Sequence, residues 1–190
     1  MKILVLYGSV RKRRQGIRAV YFVHQEMSRR GHDVEIIDPL EYDFGLLQET
    51  YYDYPKDQDP PEKMKVLSQK IKEADGFVVV GGEYNHNMPP ALVNLMDHFY
   101  VEYRYKPSGI VAYSSGIYAG ARSSVQLRSF LGVLGTPAIQ RVFHVPNVQE
   151  TLSEDGTPLD EKYEKRFGRF AEELEWYMDA LKTAREKGSS

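Results

Sequence analysis

The stretch KILVLYGSVRKRRQG, residues 2–16, decides how this chain is read. Its first six residues are almost continuously apolar, the pattern of a strand covered on both faces in a parallel sheet. The character then changes at once. Gly8 and Ser9 are followed by Arg11, Lys12, Arg13 and Arg14, and Arg18 lies just beyond Gly16. Where such a segment enters a helix, exposed N–H groups, the helix dipole and guanidinium forks meet in one place, which suits an anion. The same composition also suits a solvated basic helix start, and from these residues alone both readings stand.

Four further runs rich in branched and aromatic residues follow, at 33–37, 76–81, 109–114 and 138–145. Helical stripes separate them. Residues 62–74 align Met64, Leu67, Ile71 and Ala74, and 90–100 align Leu92, Leu95, Met96 and Phe99. Residues 160–185 align Tyr163, Phe167, Phe170, Leu174, Tyr177 and Leu181, while 16–30 and 120–135 are helical with less regular stripes. Strict alternation of strand and helix predicts right-handed crossovers and an α/β fold with helices on both faces of a five-stranded parallel sheet. Five strands suit the doubly wound order 2-1-3-4-5, within a single domain over 1–187. Residues 41–61, EYDFGLLQETYYDYPKDQDPP, form a long irregular segment with four tyrosines and a phenylalanine. Such a loop packs either on its own domain or on a subunit partner.

Bulk properties exclude several classes. The chain of 190 residues has 25 basic and 27 acidic residues and a net charge of -2, so the cations at 11–18 are a local feature and a general nucleic-acid-binding role is disfavoured. With no cysteine there is neither disulfide nor thiolate chemistry. No apolar run approaches the ~20 residues of a membrane helix, and the first apolar run is too short for a signal peptide. A cytoplasmic protein without membrane contact is expected. The five histidines, His24, His32, His86, His98 and His144, lack HxxxH or HExxH spacing, so no metal site is expected. Asp97-His98 reads as a helix-surface pair, and Ser114-Ser115-Gly116 lacks the GxSxG context of a hydrolase.

In the order 2-1-3-4-5 the switch point lies between strands 1 and 3, where ligands of open α/β sheets bind. Three loops meet there: 8–16, 82–90 and 114–120. The first is neither a Walker A motif nor GxGxxG, which disfavours a dinucleotide site of the Rossmann kind. The second, GGEYNHNMPPAL, offers turn-forming Asn85 and Asn87 and a helix start at Pro89-Pro90. The third, SSGIYAGAR, has small residues against which a flat ligand fits. As bare patterns, the second also suits an ordinary strand-to-helix turn and the third simple tight packing.

Together, GSVRKRRQG, GGEYNHNMPPALVNLMDHFY and SSGIYAGARSSVQLRSFL resemble the three flavin-binding segments of the NADPH-dependent FMN reductase family. The resemblance spans roughly residues 2–145. It implies a flavodoxin-like three-layer sandwich, FMN as cofactor, and NADPH or NADH as co-substrate. It assigns Ser9 and Arg11, the GSxR pair, to the FMN phosphate. Arg14 and Gly16 match the longer GSxRxxRxG form, with N–H groups at Gly16 and Ile17 closing the cradle. Glu83, Tyr84 and Asn85 match the family's PEYN turn at the isoalloxazine, and His86 and Asn87 its variable continuation. Ser115 and Gly116 match the turn at the flavin's pyrimidine end. Gly82 departs from the family, which usually has proline there. Lys12, Arg13 and Arg18 acquire no role.

The function so implied is an FMN-dependent NAD(P)H oxidoreductase. Hydride passes from NAD(P)H to flavin N5 and on to a small-molecule acceptor, a flavin, quinone or azo compound, by a ping-pong route. No protein group is assigned as catalytic, because the cofactor carries the chemistry. A homodimer or homotetramer is implied. The alternatives are a flavodoxin-type electron carrier and a flavin-binding regulatory protein, neither with pyridine-nucleotide activity. The near-neutral charge and the arginine-rich loop favour the enzyme.

Overall fold

The computed structural model describes residues 1–55 and 57–188. The strands are β1 (Lys2–Tyr7), β2 (Asp33–Ile37), β3 (Gly76–Gly82), β4 (Ser108–Tyr113) and β5 (Ala138–Val145). They pair in parallel in the order β2-β1-β3-β4-β5. This is the expected flavodoxin-like sheet, with bounds shifted by one residue in β3 and β4. The helices are α1 (Ile17–Arg29), α2 (Glu62–Glu73), α3 (Pro90–Asp97), α4 (Ala121–Val133), α5 (Val148–Thr151) and α6 (Lys162–Glu186).

Side-chain alternation along each strand builds two cores. Ile3, Val5 and Tyr7 point to the face covered by α1 and α6, where they join Phe22, Phe143, Phe167, Phe170 and Met178. Leu4, Leu6, Phe77 and Val79 point the other way, against Met64 and Leu67 of α2, Leu92 and Met96 of α3, and Leu127 of α4. The register fixes the functional edge. Tyr7 stands beside Val80, and Gly82 beside Tyr113, so the carboxyl ends of β1, β3 and β4 lie close together and their loops leave from one edge.

Three details differ from the sequence reading. The stripe at 90–100 continues through Phe99, but α3 stops at Asp97 and a 3-10 turn covers Val101–Tyr103. Phe99 is buried all the same, so an apolar period outlived the helix. His98 is no surface residue: it is 2% exposed, its Nδ1 lies 2.6 Å from the Asn94 carbonyl, and Phe44 packs on its ring. The short α5 carries no apolar period long enough to announce it.

The 41–61 loop packs on its own domain. Tyr42 is buried, and the ring of Phe44 lies 6.1 Å from that of Phe99. Tyr51 donates its N–H to the His98 carbonyl at 2.9 Å, and the Tyr52 hydroxyl donates to the buried carboxylate of Glu102. Lys56, within this loop, lies outside the described residues. Among the described residues, no helix is long and apolar enough to cross a membrane.

Candidate functional site

A cleft of about 360 Å³ opens at the switch point between the loops after β1, β3 and β4. Its size falls in the usual range for small-molecule sites, ~300–1,000 Å³. Ser9, Arg11, Arg13, Arg14 and Gln15 line one side, and Gly82, Glu83, Tyr84, Tyr113, Ser114 and Ser115 the others. The three loops singled out in the sequence thus converge.

The cations of the first loop divide into two groups. Arg14 is engaged by the protein itself. Its Nη1 donates to the Ser9 carbonyl at 3.0 Å and to Asp38 Oδ1 at 2.7 Å, and its Nη2 donates to Asp38 Oδ2 at 2.5 Å. The Asp38 hydrogen bonds raise the Arg14 pKa further, and its guanidinium sits 5.0 Å over the Tyr7 ring. Arg18 is also engaged, donating to Gln15 and to the Leu152 carbonyl. The side chains of Arg11, Lys12 and Arg13 have no hydrogen bond or ion pair among the described residues, and two of the three line the cleft. The bidentate fork expected of Arg14 therefore faces Asp38, while Arg13, to which the sequence assigned nothing, faces the cleft.

Ser9 is 2% exposed; its hydroxyl lies 3.2 Å from the Tyr84 hydroxyl and accepts the Arg11 N–H at 3.4 Å. Gly16 caps α1, and it and Ile17 place their N–H groups where a helix has no internal acceptor for them. Acidic residues are absent from the first turn of α1, so its positive end is not offset there.

The second loop is a two-residue hairpin. Tyr84 and Asn87 exchange N–H···O=C bonds of 3.0 and 2.9 Å, and Asn85 (φ 51) and His86 (φ 63) both lie in the left-handed region. Asparagine and histidine are among the non-glycine residues that tolerate it. This geometry aims Glu83 and Tyr84 at the cleft and leaves Asn85, His86 and Asn87 exposed at the tip, off the cleft lining. Glu83 receives the N–H and the guanidinium of Arg122, each at 3.1 Å. Partial burial opposes ionisation of Glu83, but these bonds from Arg122 hold its pKa below the usual value. In the third loop Ser115 reaches the cleft, whereas Gly116 serves the backbone: its carbonyl accepts the Ser114 hydroxyl at 2.6 Å and the Asn147 N–H at 3.0 Å.

The sequence reading missed Tyr113. Its ring end touches both flanking loops: a Cβ on Gly16 would stand 1.9 Å from Tyr113 Cζ, and one on Gly82 3.1 Å from the same atom. Close approach, and not a special dihedral at Gly16, requires glycine there. Gly82, which stands where the family usually has proline, meets the same ring end less closely. The signal was present in the strand alternation, which sends Tyr7 and Tyr113 to the α1 face.

Residues 1–150 match the NADPH-dependent FMN reductase family. The chain belongs to it. FMN and NAD(P)H, the expected cofactor and co-substrate, are those of that family. An NAD(P)H-dependent FMN reductase of Schizosaccharomyces pombe is 35% identical over 136 residues, which is 70% of this chain and 66% of that protein, just under two thirds of its length. An NADPH azoreductase of a Bacillus species is 28% identical and matches 98% of both chains. Among solved structures, the flavoenzyme NAD(P)H:acceptor oxidoreductase FerB from Paracoccus denitrificans superposes with a TM-score of 0.75 at 20% identity, covering 96% of this chain and 97% of its own. A Pseudomonas aeruginosa flavodoxin variant superposes with a TM-score of 0.57 at 16% identity, covering 96% and 99%, a likeness of fold.

Proposed function

We propose that the protein binds FMN in the switch-point cleft and reduces it with NADPH or NADH, passing the electrons to a small-molecule acceptor such as a flavin, quinone or azo compound. The observation that carries this reading is the pair of unpartnered guanidinium groups, Arg11 and Arg13, facing the cleft beside the open start of α1. A phosphate monoester brings about two negative charges at neutral pH, which two guanidinium groups and a helix terminus match. The loop lacks the GxGxxG pattern, which favours a mononucleotide over a Rossmann-type dinucleotide.

Each residue has a part in this reading. Arg11, Arg13, the Ser9 hydroxyl and the N–H groups of Gly16 and Ile17 hold the phosphate. Arg14, clamped by Asp38, fixes the Ser9 carbonyl and hence the loop's path. Glu83 and Tyr84 border the ring system, with Arg122 holding Glu83 in place. Ser114 and Ser115 close the pyrimidine end, and the 85–87 tip sits where it can meet an incoming substrate. Bound flavin supplies hydride acceptance at N5. Because NAD(P)H and the acceptor would use one cleft in turn, the order is ping-pong. A homodimer or homotetramer in the cytoplasm accords with this reading, and exposed Leu46, Leu47 and Tyr52 are large side chains of the 41–61 loop available to a neighbouring copy.

The test is direct. Purified protein titrated with FMN should quench its fluorescence at stoichiometric ratio, and anaerobic NADPH should then bleach the bound flavin. A protein that takes up no FMN ends the proposal. FMN uptake without bleaching leaves an electron carrier instead. A panel of quinones, azo dyes and free FMN identifies the acceptor.

A further inference from the structure

Beneath the phosphate loop lies a group of hydroxyls that the family motifs do not include. Tyr7 at the end of β1 and Tyr113 at the end of β4 both point to the α1 side of the sheet. Tyr7 is fully buried, and its hydroxyl meets no partner at hydrogen-bonding geometry. Such orphaned buried hydroxyls are uncommon, because each forfeits its hydration without replacement. Tyr113 is 8% exposed and lines the cleft. Its hydroxyl end lies against Gly16, at the start of α1: the Tyr113 oxygen is 2.2 Å from where a Gly16 Cβ would be. The Tyr7 and Tyr113 hydroxyls lie near enough to shift each other's ionisation, and the Ser9 hydroxyl is near enough to affect both.

We infer that Tyr113 is a further ligand of the cofactor's phosphate, donating its hydroxyl from the side of the cleft it lines. The inference rests on the proposed FMN site and deepens it. It is carried by geometry: a nearly buried hydroxyl reaches the helix start where the anion site lies, and an orphan donor stands behind it. The Tyr113 hydroxyl makes no hydrogen bond at such geometry among the described residues, so its proton is free to turn into the cleft that the residue lines. Burial pushes the Tyr113 pKa up to about 12, so the hydroxyl keeps its proton at neutral pH and acts as a donor to an anion. No tyrosinate forms there to repel a phosphate.

Tyr113→Phe keeps the ring that holds Gly16 and Gly82 apart and removes only the hydroxyl. Affinity is measured for FMN and for riboflavin, which has the ring system without the phosphate, on the same apoprotein. The expected result is a roughly 5- to 30-fold weaker FMN complex with riboflavin affinity unchanged. Equal losses for both flavins would make Tyr113 a spacer only, and an unchanged FMN affinity would remove the hydroxyl from the site; either overturns the inference. If Tyr113→Phe fails to fold, the wild-type protein titrated with inorganic phosphate, with the tyrosine hydroxyls observed by NMR, replaces it. Phosphate should slow exchange of the Tyr113 hydroxyl proton, and no change counts against the proposal. Failure of wild-type protein to bind FMN at all would instead defeat the function itself, which keeps the two failures distinct.

Discussion

Two irregular segments border neighbouring parts of the molecule and treat their polar groups in opposite ways. The loop at 8–16 leaves Arg11, Lys12 and Arg13 without protein partners among the described residues, and a helix start with open N–H groups beside them. The loop at 41–61 engages its groups at home. Tyr52 donates to Glu102, Asn94 binds both the Leu47 N–H and the Gly45 carbonyl, and Tyr51 is tied to His98. Arg11 and Arg13 are exposed and hydrated, and they stand at the rim of a concave site, where an anion can replace that water. Aromatic content marked the second loop as conspicuous in sequence, yet it is the first that lines the cleft at the switch point.

The comparison makes predictions of different size. Replacing Arg11 with alanine should weaken FMN binding by about 1.5–3 kcal/mol, the scale of a charge-assisted hydrogen bond, while the thermal midpoint stays put. A large drop in that midpoint would show that Arg11 belongs to the fold. Gly16→Ala should cost about 1–3 kcal/mol of stability through overpacking against Tyr113, measured by urea unfolding. Tyr52→Phe should do the reverse of Arg11→Ala, losing about 1–2 kcal/mol of stability and leaving FMN affinity intact. Flavin affinity that fell with it would break the division between the loops.

A pH effect sharpens the same division. Lys106 lies beside Glu102, the residue whose carboxylate takes the Tyr52 hydroxyl, and donates to the carbonyls of Ile71, Lys72 and Glu102 at 2.6, 2.7 and 2.9 Å. Burial pulls its pKa down to about 8. Between that value and the unfolded-chain value of about 10.4, the unfolded state holds a proton that the folded state has released, so stability from this group rises with pH across the window. The stability difference between wild type and Lys106→Met should grow in favour of wild type from pH 8 to pH 10. A flat difference would mean Lys106 stays charged in place. The smallest effect is reserved for Lys12→Ala, exposed and off the cleft, which should change stability by no more than about 0.5 kcal/mol.

The sheet was legible because central parallel strands covered on both faces are written as nearly unbroken apolar runs, as in KILVLY of β1 and GFVVVGG of β3. The edge strands β2 (DVEII) and β5 (AIQRVFHV) mix in polar residues yet keep enough branched ones to be found at 33–37 and 138–145. Strand order placed the cleft before any side chain was known. Pairings across the sequence were harder. Arg14 and Asp38 are 24 residues apart and meet only because β1 and β2 are neighbours whose carboxyl ends lie level. The same holds for Tyr113 and Gly16, which meet through a residue facing the α1 side from β4. The hairpin at 84–87 hid its strain, since Asn-His reads as loop composition until both left-handed dihedrals are seen.

The contact of Tyr113 with two glycines also constrains how this site can change over generations. A side chain arriving at Gly16 while tyrosine holds position 113 collides with the ring, whereas shrinking position 113 first removes the three atoms nearest to it. Substitution here is therefore ordered, with the tyrosine changing first and position 16 afterwards. Gly82, where the gap is 3.1 Å, is held less tightly and is freer to move early. Related chains should accordingly differ at positions 16 and 113 as a linked pair, each residue recording what the other permits.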